Sequence, residues 1–180
     1  MASLFLALAV ITTGLYAGFL LTFLIAIMPG LAALPDGDFT AAMRRFNEKV
    51  PGPVFLIVFL GVIAFPAAVL VAERDVWGRP PVAAALVCAI GSHLVTIAGN
   101  IPLNKALAAS ESPSQARTTG AARTPGAPGE GGDSAARTAF EARWNILHQV
   151  RTALSLAAFV LLTVAANQSS PAAKWRQHFF

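Results

Sequence analysis

Four stretches of this chain run without a single Asp, Glu, Lys or Arg for long enough to cross a bilayer. Residues 1–35, 50–72, 80–104 and 152–173 are free of these residues. A transmembrane helix needs about 20 apolar residues, so the spans are predicted at 4–28, 53–72, 82–103 and 145–166. The chain is 56% hydrophobic and 12% charged, where a soluble domain is about 25% charged. The expected fold is an all-α, integral membrane four-helix bundle, forming a single membrane domain over 1–180. The first span lacks a basic leader, and its apolar run far exceeds the ~7–15 residues of a signal-peptide core. It reads as a retained helix, and the localisation as multi-pass in the cell membrane.

Composition excludes several functions. The single cysteine, Cys88, rules out an internal disulfide and any CxxC redox pair. The net charge of +4 lies mostly in loops and suits headgroup contact. Nothing interleaves aromatic and basic residues as RNA binders do, so no nucleic-acid partner is expected.

Between the spans, Pro29-Gly30 reads as the end of helix 1. Over 38–49, Phe39, Ala42, Met43 and Phe46 recur at helical spacing while Arg44, Arg45, Glu48 and Lys49 point elsewhere. That pattern predicts a short amphipathic helix lying in the membrane interface. Pro51 and Pro53 mark the entry to span 2, and Pro66 predicts a kink in it. The link 72–81 reads as a turn. Residues 108–138 contain no Leu, Ile, Val, Phe, Trp or Tyr, which predicts a disordered, removable loop insertion. The tail 167–180 is polar, with Trp175, Phe179 and Phe180 expected at the interface. Gly14 and Gly18, four apart, let two backbones approach closely. They serve either packing inside the bundle or a homo-oligomer seam.

Even-numbered spans put both termini on one side. The 29–52 and 104–143 loops then share the other side, as do the end of span 3 and the start of span 4. Lys and Arg counts favour the cytoplasm for that second side.

Two polar stripes converge there. Trp144, His148, Arg151 and Ser155 share one face of span 4 at about 100° per residue. Span 3 carries His93, Thr96, Asn100 and Asn104. Ionisable side chains inside a membrane helix are costly and face a protein interior or a wet cavity. With Asn104 level with Trp144 and a rise of about 1.5 Å per residue, Asn100 pairs in depth with His148, Thr96 with Arg151, and His93 with Ser155. The picture is a polar funnel open to one side. His93 and His148 then lie about 10 Å apart in depth, too far to share one metal. No carboxylate cluster assists them, so no metal is expected. His148 is the shallow group able to act as a general base near neutral pH. Arg151, one turn on, suits an enolate or phenolate oxygen. Asn100 and Asn104 offer amide donors, and Trp144 a flat face for an aromatic ligand. This set suits proton abstraction beside a carbonyl on a flat, lipophilic aromatic. Bland alternatives stand beside it: Trp144 as a belt aromatic, Arg151 snorkelling to headgroups, His93 as an interhelical hydrogen-bonder, Tyr16 as packing.

GNIPLNKAL at 99–107, followed by W-x3-H-x2-RT at 144–152, resembles the DUF1772 family of small four-helix membrane proteins, which includes anthrone oxygenases. AMRRFNEKVPGPVF at 42–55 is similar to that family's first loop. The resemblance covers the chain except the 108–138 insertion. It implies oxidation of an anthrone, a polyketide-type lipophilic aromatic, to an anthraquinone with O2 and no cofactor. Asn100, Pro102, Asn104, Trp144, Arg151 and Thr152 match the family positions. The family places asparagine-histidine one position along, where this chain has His148-Gln149, which leaves the identity of the base open. The expectation is a membrane oxidoreductase whose catalytic residues are His148 and Arg151. Asn100, Asn104, Trp144, Thr96, Thr152 and His93 would bind its substrate. The competing class is a non-catalytic carrier or partner subunit, against which stands the lack of any visible internal repeat or broken helix.

Overall fold

The computed structural model describes residues 2–73, 80–110 and 130–168. Five helices result: α1 (Ala2–Ala32), α2 (Asp36–Lys49), α3 (Pro53–Glu73), α4 (Pro80–Ala109) and α5 (Glu130–Gln168). All but α2 are long and apolar enough to cross a membrane, so the chain is an all-α, multi-pass membrane protein. Residues 74–79 of the turn predicted at 72–81, most of the insertion (111–129) and the tail from 169 fall outside the described residues.

In the bundle α1 packs beside α3 and α5, and α4 completes the ring between them. Near the termini the core is built from Leu6 and Ala9, Val69, Val82 and Ala85, Ala158 and Leu162, drawn from all four helices. Small residues at the contacts let backbones close in, which is how membrane helices associate without a hydrophobic effect between them. Gly14 belongs to this packing. A Cβ there would meet the Phe159 ring at 2.9 Å, whereas Gly18 has nothing within 4 Å. The Gly14 half of the suggested oligomer seam is therefore occupied within the chain. Large apolar side chains such as Ile57, Val71 and Val87 point outward, as a lipid-facing surface requires.

Proline does not end the helices. Pro29 and Pro102 each lack the N–H that would bond the carbonyl four residues back, and their rings crowd it. Those carbonyls belong to Ile25 and Ala98, the central residues of two wide π turns, Phe23–Ile27 and Thr96–Asn100. The Met28 N–H donates to Phe23 O and the Ile101 N–H to Thr96 O, one residue further back than in an α-helix. The helices absorb the prolines and continue to Ala32 and Ala109.

Two expectations for the loops are corrected. Residues 131–138, assigned to the disordered insertion, form the first turns of α5, and residues 108–109 the last turn of α4. The lack of large apolar groups there is offset by charge. Asp133 sits 3.7 Å from the Arg44 guanidinium and accepts a 2.9 Å hydrogen bond from Thr40. Arg137 pairs with Glu141 at 2.7 Å, donates to the carbonyls of Ala32 and Leu34 at the end of α1, and lies 4.4 Å over the Phe39 ring. The amphipathic helix also exists, as α2, with its apolar face packed on the end of the bundle. Phe39 and Met43 are completely buried in a cluster with Leu107, Phe140 and Trp144. Arg44, expected to face outward, turns inward to Asp133 and the Leu107 carbonyl. At about 1.5 Å per residue the 39-residue α5 is nearly twice the length of a ~30 Å hydrocarbon core. Its first turns project beyond it and, with α2, close one end of the bundle.

Candidate functional site

Beneath that cap the two stripes meet. The Trp144 indole N–H donates to Asn104 Oδ1 at 3.0 Å, so these two residues do lie at one level. One turn deeper, Asn100 Nδ2 approaches the Trp144 carbonyl at 3.4 Å. A further turn down, Arg151 Nη1 reaches Thr96 Oγ1 at 3.4 Å. Trp144 is buried rather than set in an aromatic belt. Its ring stacks on His148, with centroids 4.6 Å apart, and the Arg151 guanidinium carbon lies 5.3 Å from the indole centroid. Arg151 therefore points into the bundle and not toward headgroups.

His148 is wholly buried and both ring nitrogens are engaged. Nε2 lies 2.9 Å from the Leu20 carbonyl and Nδ1 accepts from Arg151 Nε at 3.0 Å. A carbonyl only accepts and a guanidinium only donates. The proton therefore sits on Nε2, and the lone pair on Nδ1 faces Arg151. Among the described residues no carboxylate pairs with Arg151. Its neighbours are a neutral imidazole, a hydroxyl and an indole face. A cation in the bundle interior without an opposite charge is suited to receive one.

Two expected members stand apart. Ser155 pairs with Ser92 at 2.9 Å, not with His93. His93 turns to α3, with Nε2 2.8 Å from the Phe59 carbonyl and its ring stacked on Phe59 at 3.9 Å. The π turn explains this. It adds one residue to a turn, rotating everything beyond it by about 100° relative to a straight helix. The stripe drawn at α-helical spacing therefore splits, with Asn100 and Asn104 toward α5 and His93 toward α3. Thr152 also stays out, because its hydroxyl donates 2.7 Å to the His148 carbonyl of its own helix. The polar funnel is not open either. Phe140, Trp144 and Met43 plug its mouth.

One interior residue escaped the sequence reading as a site residue. Tyr16 on α1 is 1% exposed, and its hydroxyl has no hydrogen-bond partner among the described residues. Asn100 Oδ1 is likewise buried and unpartnered. The signal was present: the sole tyrosine of the chain sits mid-span, away from the ends where interfacial aromatics belong. Among the described residues no three His, Cys, Asp or Glu side chains converge as a metal would require.

A family model described as Anthrone oxygenase matches residues 39–161, well over half of the chain. No curated protein and no solved structure matches it.

Proposed function

The chain belongs to the anthrone oxygenase family, and on that premise we propose that it oxidises an anthrone-type lipophilic aromatic with O2 in the cell membrane, by base-promoted carbanion formation. The observation that carries the reading is the His148–Arg151 contact of 3.0 Å. A proton acceptor and an oxyanion donor hold each other in the resting protein. A ketone oxygen arriving at Arg151 takes over its N–H groups and releases the Nδ1 lone pair.

The ring methylene of an anthrone is acidified by both aryl rings and by the ketone opposite. Nδ1 accepts its proton, and the electron pair delocalises onto the ketone oxygen beside Arg151. The electron-rich carbon combines with O2. The resulting peroxide takes up a proton and loses water, so that anthrone and O2 become anthraquinone and water. A stabilised carbanion meets O2 without a resident metal or organic cofactor, and none is assigned. Trp144 offers the aromatic substrate a flat face, while Asn100 Oδ1 is free to accept from a substrate hydroxyl. Leu20 fixes the tautomer by receiving Nε2–H.

The test is oxygen uptake and quinone formation by purified protein in lipid with an anthrone. The Arg151→Ala variant is expected to lose about 10²–10³ in rate, as when one oxyanion donor is removed. Wild-type protein that does not accelerate the reaction above empty vesicles overturns the proposal.

A further inference from the structure

The register of α1 against α5 is fixed by the 2.9 Å bond between the Leu20 carbonyl and His148 Nε2. Stepping one turn deeper along each antiparallel helix leads from Leu20 to Tyr16 and from His148 to Arg151. The two backbone positions therefore lie at about one level, roughly 4.5–6 Å below Leu20 and His148, and from there the Arg151 side chain reaches back up to the His148 ring. The Tyr16 hydroxyl makes no hydrogen bond to Arg151 or to any other described residue. Thr96, 3.4 Å from Arg151, completes this level from α4.

The ring of Tyr16 is held firmly. It packs edge-on to Phe59 at 5.8 Å and tilted to Phe55 and His93 at 6.1 and 5.7 Å. Its hydroxyl alone has no partner among the described residues. A buried hydroxyl left unsatisfied costs about 1–3 kcal/mol, while phenylalanine would fill the same space without that penalty. A hydroxyl kept there beside an uncompensated cation has the chemistry of a second donor to an incoming oxygen.

We infer that Tyr16 contacts the substrate directly, donating its phenolic hydrogen to the same ketone oxygen that Arg151 binds and thereby sharing the developing negative charge. This inference rests on the reaction proposed above. The family match that supports that reaction begins at residue 39 and does not itself include Tyr16. The assignment makes the oxyanion site a joint product of α1 and α5, with Arg151 supplying charge and Tyr16 a short, rigid donor.

The chain has one tyrosine, so a carbon-13 label on the hydroxyl-bearing ring carbon gives a single resonance. The probe is an anthrone whose ring methylene is blocked by two methyl groups, which keeps the ketone but has no proton to lose. Adding it to the labelled wild-type protein in lipid should shift the tyrosine resonance, and Arg151→Ala should weaken that shift. Tyr16→Phe, which keeps the ring contacts, should leave thermal stability unchanged or raised and lower kcat on an oxidisable anthrone about a hundredfold. If the wild-type protein turns over anthrone but the resonance does not move, or Tyr16→Phe retains full kcat, Tyr16 is only packing and the inference fails alone. A shift without turnover keeps Tyr16 as a ligand contact and overturns the oxygenase reading. Neither shift nor turnover overturns both.

Discussion

His148 is the residue whose replacement separates chemistry from architecture most cleanly. Its two nitrogens do different jobs: Nε2–H ties α5 to the Leu20 carbonyl, and Nδ1 faces Arg151. Asparagine places an amide oxygen close to the Nδ1 position and can still accept from Arg151, but it releases Leu20. Glutamine can still donate to Leu20 while disturbing the contact with Arg151. Each variant therefore loses one buried hydrogen bond, at about 1–3 kcal/mol, and part of the stack with Trp144, at about 0.5–1.5 kcal/mol. Against a typical stability of about 5–15 kcal/mol, both should fold. Neither amide is a base at neutral pH. On the proposed mechanism both lose general-base catalysis, about 10²–10⁴ in rate.

The assay pairs oxygen uptake on an anthrone with thermal unfolding followed by tryptophan fluorescence. Expected are two variants with modestly lowered Tm and a collapse in turnover that is alike in both. The acid-side limb of the rate–pH profile, where a base becomes protonated and activity falls, should also vanish in any residual activity. If either variant turns over at the wild-type rate, His148 is not the base, whatever its place in the packing.

Gly18→Ala, with nothing within 4 Å, should raise Tm slightly through helix propensity, whereas Gly99→Ala, whose Cβ would lie 2.8 Å from a Leu147 methyl, should lose that gain because Leu147 must shift. Replacing residues 111–129 by a Gly/Ser linker should preserve folding and turnover. Extending the replacement through 138 removes Asp133 and Arg137 with their contacts to α1 and α2 and should lower Tm by several degrees. Chelators should leave turnover unchanged, and loss of stoichiometric metal together with activity would promote His148 from base to ligand. Arg137→Ala, by loosening the cap, should raise deuterium uptake from solvent into the anthrone methylene relative to oxidation; an unchanged ratio would mean the cap does not exclude water from the carbanion.

The uncharged windows made the four spans legible, and axial rise counted from Asn104 taken level with Trp144, a starting point the structure shares, placed Thr96 against Arg151. Failures had local causes. Proline was read as a terminator because an α-helix cannot hold it without losing a bond, yet a π turn can. That same turn rotated His93 out of the shared stripe. Thr152 matched a motif, but a helical threonine readily returns its hydroxyl to its own backbone, as here at 2.7 Å. The cap was missed because its order comes from long-range ion pairs between segments almost a hundred residues apart, such as Arg44–Asp133 and Asp36–Arg137. Window composition does not register such pairs. Tyr16 was set aside because one hydroxyl in an apolar helix carries no periodicity.

The cap and the interior chemistry support one another. Among the described residues Arg151 has no carboxylate partner, and a charge-compensating oxyanion gains most where water is excluded, since the attraction grows as the local dielectric falls. Exclusion here comes from Phe39, Met43, Phe140 and Trp144. These residues are pinned by Arg44 and Arg137, whose charges are spent on Asp133, Glu141, Asp36 and the ends of α1 and α4. Three of the arginines at this end thus divide into two kinds. Arg44 and Arg137 are neutralised and hold the lid, while Arg151, one helix face deeper, is left with only neutral neighbours. On the proposed mechanism, a carbanion formed against Arg151 has little water from which to recover its proton. Oxygen, which dissolves readily in hydrocarbon, is the reactant such an interior admits. An apolar plug over an unpaired cation is therefore a coherent arrangement for base-promoted oxidation of a lipophilic ketone.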